Sequence, residues 1–376
     1  MDEIINPDVY SRGVRILYFA PESVHTSRFI ERFKKEFEVI LVSYGWTPEE
    51  KGIKTISMPF KSRYLRWVPL FNIPYLKKII DREKPDLVHA MYILPWGYYA
   101  SCSVSRHVKL VISPWGSDVY AIRPGWKTRI PSLTGIFDRW HNRTSVRFDA
   151  GIAECEHVKK RMGELGYDLK KIYVIPWGPD CSIFSPGARD ENLREKIAPG
   201  KEIIVGCTRM LYPGYGIDRV IYAMKGMDKR IGLVLIGDGA WMTYLRRLCV
   251  ELGVDDRVYF LGKVSYPDIA RYVASFDIMV SPSLSDTISI SVMEGMACAL
   301  PVISSNVGGT SEWIQHGKNG ILLVKNSPDE ISEWIRTLSA DDAMRRNLGR
   351  MARETVVERG DWRKTSVLIS HVYRNL

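Results

Sequence analysis

Two carboxylates eight residues apart, Asp286 and Glu294, stand in the stretch SPSLSDTISISVMEGMACALPVISSNVGGTSE, which runs from Ser281 to Glu312. An ionised carboxylate can accept two adjacent hydroxyls at once, so Glu294 suits a ribose diol and Asp286 the hydroxyls of a bound sugar. Between them Thr287, Ile288, Ser289 and Ile290 lead into an expected helix, whose first backbone amides would cradle a phosphate. Arg209 lies in GCTRMLYPGYG (Gly206 to Gly216) after an apolar run, and its permanently charged fork suits a pyrophosphate. Two more loops, Gly237-Asp238-Gly239 and Gly262-Lys263-Val264, also follow apolar runs. Gly237 and Gly239 offer exposed backbone where a base could lie, and Lys263 adds a cation.

Each of these features has a plainer account. Ser291-x-x-Glu294 reads as a capping box that closes a helix start. Asp286 can make an Asx turn, and a single arginine at a strand end is most often a surface residue. Four loops at one sheet edge argue more strongly than any one of them. In the first half the comparable loops are Pro21 to Arg28, His89 to Gly97 and Pro114 to Asp118, with His25, His89 and Asp118 as polar groups able to meet a sugar or an acceptor. A lone histidine is more often structural than catalytic.

Such loops need a scaffold that gathers them. Val14–Ala20, Phe37–Ser43, Asp86–Ala90, Val108–Ser113, Ala150–Ala153 and Ile172–Ile175 are nearly continuous apolar runs, as strands buried on both faces of a parallel sheet would be. Helical spacing over Ser27–Glu36 and Pro74–Glu83 separates them. The rhythm restarts with Ile203–Cys207, Ile231–Ile236, Val258–Leu261, Asp277–Val280, Pro301–Ser304 and Ile321–Val324, with helices expected at Asp218–Lys225 and Trp241–Leu252. Two doubly wound α/β domains in tandem follow, binding at the carboxyl ends of their strands and facing each other across a cleft. The turn-rich run Pro176-Trp177-Gly178-Pro179-Asp180 marks the boundary, giving domains over 1–182 and 183–358 and a closing helical segment over 359–376 that packs back on the first domain.

A chain of 376 residues fits two domains of about 150 to 200 residues, and 45% apolar with 26% charged content is that of a globular protein. Six scattered cysteines without a CxxC pair argue for reduced thiols and against structural zinc. No apolar run approaches the roughly 20 residues of a membrane-spanning helix, and Met1 to Arg12 lacks the pattern of a signal peptide, so a cytoplasmic protein is expected. Positive charge is concentrated in 51–150, where 17 basic residues face 6 acidic ones in a chain of net charge +10. There Lys54, Lys61, Arg63 and Arg66 alternate with Phe60, Tyr64, Trp67 and Phe71, while Arg123, Lys127 and Arg129 flank Trp126. That mixture suits peripheral contact with an anionic membrane and a lipid-linked acceptor, and equally a solvated face. No nucleic-acid-binding module is recognisable.

In order along the chain, KPDLVHAMY, WGSD, IPWGPDCSIFSPG, TRMLYPGYGID, LIGDG, FLGKV, SPSLSD with MEGMACALPVISSNVGG, and GKNGILL resemble the retaining glycosyltransferases of family 4, the group 1 glycosyltransferases of GT-B fold. The resemblance implies transfer of a hexose-type sugar from a nucleoside diphosphate, such as a UDP- or GDP-sugar, to the hydroxyl of a glycan or lipid-linked acceptor. Positive charge and helix-start amides can stabilise the leaving diphosphate, so no metal and no resident cofactor are expected, and the resemblance implies no protein nucleophile, the leaving phosphate helping to deprotonate the acceptor. By resemblance the family's acidic pair falls on Asp286 and Glu294 and its pyrophosphate arginine on Arg209, while the loops that carry His89 and Asp118 assign those two residues to the sugar and acceptor side. The first acid is usually glutamate in the family, and Tyr215 stands where a lysine is usual. Two rivals stay open: a GT-B nucleotide-sugar 2-epimerase, and a non-catalytic sugar-nucleotide-binding scaffold. The base, the sugar, the acceptor and the oligomeric state are not legible.

Overall fold

The computed structural model describes residues 13–21, 23–44, 52–58, 72–120 and 142–376. They fall into two compact units, each with its own sheet. The first unit takes the described residues up to Ala153 together with Val158–Ile175 and Val367–Leu376, and the second takes Glu154–His157 and Pro176–Ser366.

Among the described residues, the first unit's sheet has seven parallel strands in the order β3-β2-β1-β4-β5-β6-β7. They are β1 (Arg15–Phe19), β2 (Glu38–Ser43), β3 (Lys54–Ser57), β4 (Leu87–Met91), β5 (Lys109–Ser113), β6 (Ala150–Ala153) and β7 (Ile172–Val174). Six were legible as apolar runs. The seventh, β3, reads KTIS and lies half-exposed at the sheet edge, so it carries no run of buried residues that could betray it. The helix expected from Ser27 instead spans Val24–Phe33, because the Ser23 side chain accepts from the Thr26 amide at 3.0 Å and caps it earlier.

The second unit's sheet has six parallel strands among the described residues, in the order β10-β9-β8-β11-β12-β13. These are β8 (Ile203–Thr208), β9 (Ile231–Ile236), β10 (Val258–Gly262), β11 (Ile278–Ser281), β12 (Val302–Ser305) and β13 (Ile321–Leu323). In both sheets the chain starts centrally, winds outward, then returns to the middle and winds the other way. That is the Rossmann order, with its switch between β1 and β4 and again between β8 and β11. The core of the second unit packs Val205, Leu233, Leu235, Ile278, Val280 and Ile303 against apolar helix faces. Each strand end therefore delivers its loop to one edge. Among the described residues no helix is long and apolar enough to cross a membrane. No disulfide joins any of the six cysteines.

Candidate functional site

The carboxyl edge of the second sheet gathers the loops after β8, β9, β10, β11 and β12. Arg209 follows β8 directly. Its carbonyl oxygen would lie 1.9 Å from a Cβ placed on Gly237, which itself has φ +143°. A Cβ on Gly239 would lie 2.4 Å from the Leu211 carbonyl. Both glycines thus let the loop after β9 lie against the arginine loop. Lys263 follows β10 and is exposed.

The Arg209 guanidinium is held on three sides. Nε and Nη2 donate to Ser283 Oγ at 3.2 and 2.7 Å, Nη2 also pairs with Asp286 Oδ2, and the Tyr215 ring lies beneath it at 4.7 Å. Burial pulls its pKa below the usual value, while Tyr215, Cys207 and Glu294 push it up. A guanidinium starts so high that it stays a cation. Ser283 is itself fixed, since Ser305 Oγ donates to its carbonyl at 2.6 Å. Ser283 had no signal of its own in the sequence. Tyr215 stood out as a departure from the family pattern, and its place is against the arginine.

Asp286 turns its second oxygen, Oδ1, to the Thr287 amide at 3.0 Å. The loop from Asp286 to Ile290 is further anchored by Gly309 N donating to the Thr287 carbonyl at 2.6 Å and by Thr287 Oγ1 donating to Glu154 Oε2 at 2.8 Å. Gly308, at φ +56°, leaves no room for a Cβ, which would sit 2.0 Å from the Asp286 carbonyl. Ile288 is buried and Ile290 begins the helix Ile290–Ala297.

The capping box expected at Ser291 and Glu294 is not formed. The cap is Ser289, whose Oγ accepts from the Val292 amide at 3.4 Å and meets Ser291 Oγ at 2.8 Å. Glu294 lies two positions beyond the third helical residue, too far along the helix to return to the cap. It is buried, 7% exposed, and its charge adds to the burial that raises the Cys298 thiol. Direct contacts therefore join Arg209, Ser283, Asp286 and Thr287, with Gly237, Gly239 and Lys263 in loops of the same sheet edge and Glu294, in the helix, near enough for its charge to act on Arg209.

In the first unit, His89 is not at a loop surface. It lies within β4, wholly buried, with Nδ1 to Tyr373 Oη at 2.6 Å and Nε2 to Ser113 Oγ at 2.7 Å. Burial drives its pKa down to about 3, so it is a neutral imidazole. Both ring nitrogens are taken, which does not fit contact with a sugar or an acceptor. Asp118 is 6% exposed and accepts from the Ile93 amide at 2.6 Å through Oδ2 and from the Trp115 amide at 3.0 Å through Oδ1. It ties together the loops after β4 and β5, where Tyr92 and Trp115 stack at 5.3 Å. Burial raises its pKa to about 6 against the pull of those amides. The side chain of His25 lies outside the described residues. Among the described residues no group of three or more His, Cys, Asp or Glu side chains could hold a metal ion.

The chain matches the model of Glycosyl transferases group 1 over residues 188–355 and that of Glycosyl transferase 4-like proteins over residues 15–134. It is 25% identical over 377 residues to an uncharacterized glycosyltransferase of Methanocaldococcus jannaschii, covering 100% of this chain and 98% of that protein. It is 26% identical over 401 residues to a sulfoquinovosyl transferase of Arabidopsis thaliana, covering 97% and 74%. A crystal structure of an Anabaena protein in complex with UDP and glucose superposes with a TM-score of 0.81 at 18% identity, over 96% of this chain and 100% of that one. At that identity the superposition establishes the fold. With the ordered motifs, the two Rossmann-like units and these matches together, the chain belongs to the group 1, family 4-like glycosyltransferases, built on the GT-B fold.

Proposed function

We propose that this glycosyltransferase takes its sugar from a nucleoside diphosphate bound at the carboxyl edge of the second sheet. It transfers that sugar to an acceptor hydroxyl with retention of anomeric configuration and without a divalent ion. The observation that carries this is the convergence there of a largely buried cation, Arg209, a loop of amides entering a helix at Thr287 to Ile290, and a buried carboxylate, Glu294. Arg209 and the amides take the diphosphate, and Glu294 takes the ribose diol. Departure of the sugar leaves negative charge on the diphosphate. A fixed guanidinium and helix-start amides stabilise that charge without reorganising, which is the electrostatic part of catalysis. The UDP and glucose held by the Anabaena neighbour support the donor class.

The acceptor is a glycan or a lipid-linked precursor, reached through peripheral contact of 51–150 with an anionic membrane. Of the basic residues named in that segment, Lys54 pairs with Glu83 at 2.6 Å, and the others lie outside the described residues. Equal co-sedimentation with anionic and neutral liposomes would remove the membrane from this picture.

A thermal-shift panel of UDP- and GDP-sugars tests the donor. A ligand that binds only the folded chain stabilises it by about 2.7 kcal/mol at 100 times its Kd. If no nucleotide sugar raises the melting temperature, the donor reading fails. With the active sugar, transfer continues in EDTA and the product keeps the donor's anomeric configuration by NMR.

A further inference from the structure

Two of the groups that a donor diphosphate would use are already held by one side chain. Asp286 Oδ2 pairs with Arg209 Nη2, and Asp286 Oδ1 accepts from the Thr287 amide at 3.0 Å, the first amide of the run that enters the helix. Neither partner depends on Asp286 for its position. Arg209 keeps two hydrogen bonds to Ser283 Oγ and the face of Tyr215. The Thr287 backbone keeps its carbonyl bond from Gly309, and the Thr287 side chain keeps Glu154. Removing the carboxylate would leave a cation and an amide still aimed at the same spot. The side chains of Arg209 and Asp286 are 13% and 17% exposed, so the pair lies at the rim, within reach of an anion.

We infer that Asp286 is an internal anion that holds the place of the donor's phosphate on Arg209 and the Thr287 amide and is exchanged for it when the donor binds. The inference rests on the nucleotide-sugar reading above. A largely buried guanidinium without a counter-charge is costly, and Asp286 supplies one from within the chain. A phosphate offers more charge and more acceptor oxygens to the guanidinium fork and to the helix-start amides than a carboxylate does. Once displaced, Asp286 is an ionised acceptor beside the diphosphate, placed for the hydroxyls of the sugar attached to it. The exchange ties the two events: the carboxylate is delivered to the sugar only when the diphosphate has taken its place. It also makes every measured affinity net of breaking the pair.

The test is calorimetric titration of the full chain with UDP, GDP and inorganic pyrophosphate, comparing the parent with Asp286→Asn and Asp286→Ala. The variants are expected to bind the diphosphate about tenfold more tightly than the parent, while transfer at saturating donor falls by a similar factor or more. Ser283→Ala is expected to move affinity the other way, because it loosens the arginine without removing a competing charge. Diphosphate affinity equal to or weaker than the parent's in both folded Asp286 variants overturns the exchange and makes Asp286 a scaffold for Arg209. Where the asparagine variant does not fold, Asp286→Ser decides on the same criterion. Absence of binding to parent and variants alike is a different outcome: it overturns the nucleotide reading itself, and the exchange falls with it.

Discussion

Glu294 is the residue for which structure changed the question. A glutamate three positions after a serine at a helix start invites a capping reading, and Ser289 rather than Ser291 occupies the cap. Glutamine at position 294 therefore isolates the charge, since helix closure does not depend on it. Glu294→Gln is expected to weaken donor binding by about tenfold, in the range of a charge-assisted hydrogen bond. Titration of the donor that succeeds in the thermal-shift panel measures it. Equal donor affinity in the two proteins would leave Glu294 no role at the diol.

The elements explain what could be read from the sequence and what could not. Strands such as LVHAM at β4 and IGLVLI at β9 are apolar on both faces because helices cover both, and that alone reveals a parallel sheet. The loops that matter follow from the sheet, because parallel strands send their carboxyl ends to one edge. Contacts between loops were not legible. The pairing of Arg209 with Asp286 joins residues 77 apart, and nothing local to either encodes it. His89 was misread for the opposite reason: a polar letter near a strand end suggests a loop group, whereas Tyr373, from the far end of the sequence, buries and satisfies it. Helix starts erred because capping depends on which serine has extended backbone, and Ser289 has φ −71° with ψ 113°. Ser289→Ala is expected to lower the stability of the second unit by about 1 kcal/mol in urea unfolding, the usual cost of a lost cap. Ser291→Ala keeps the Val292 bond to Ser289 and should cost less. The reverse order would return the cap to Ser291.

At the scale of the whole molecule, two of the buried ionisable groups of the first unit, His89 and Asp118, give opposed pH dependences. His89 has its pKa pulled from 6.5 to about 3. Between those values the unfolded chain takes up a proton that the native chain refuses, so the stability owed to the neutral imidazole is full above about pH 6.5 and is lost on acidification. Asp118 has its pKa raised from 3.8 to about 6. Here the native chain holds a proton that the unfolded one releases, so its contribution is full below about pH 4 and is lost as pH rises through 6. Each group alone gives a slope of up to about 1.4 kcal/mol per pH unit, and between pH 4 and 6 the two slopes have opposite signs. In the parent they largely cancel. Asp118→Asn removes one slope and leaves His89 unopposed, so its melting temperature should climb more steeply than the parent's from pH 4 to 6.5. His89→Gln leaves Asp118 unopposed, and its curve should climb less steeply or fall. Surface carboxylates titrate alike in all three proteins and drop out of the comparison. Calorimetric melting from pH 4 to 7 reads both signs at once. Three parallel curves would show that neither pKa is displaced in the folded chain, and the burial of His89 between Tyr373 and Ser113 would then have to be abandoned.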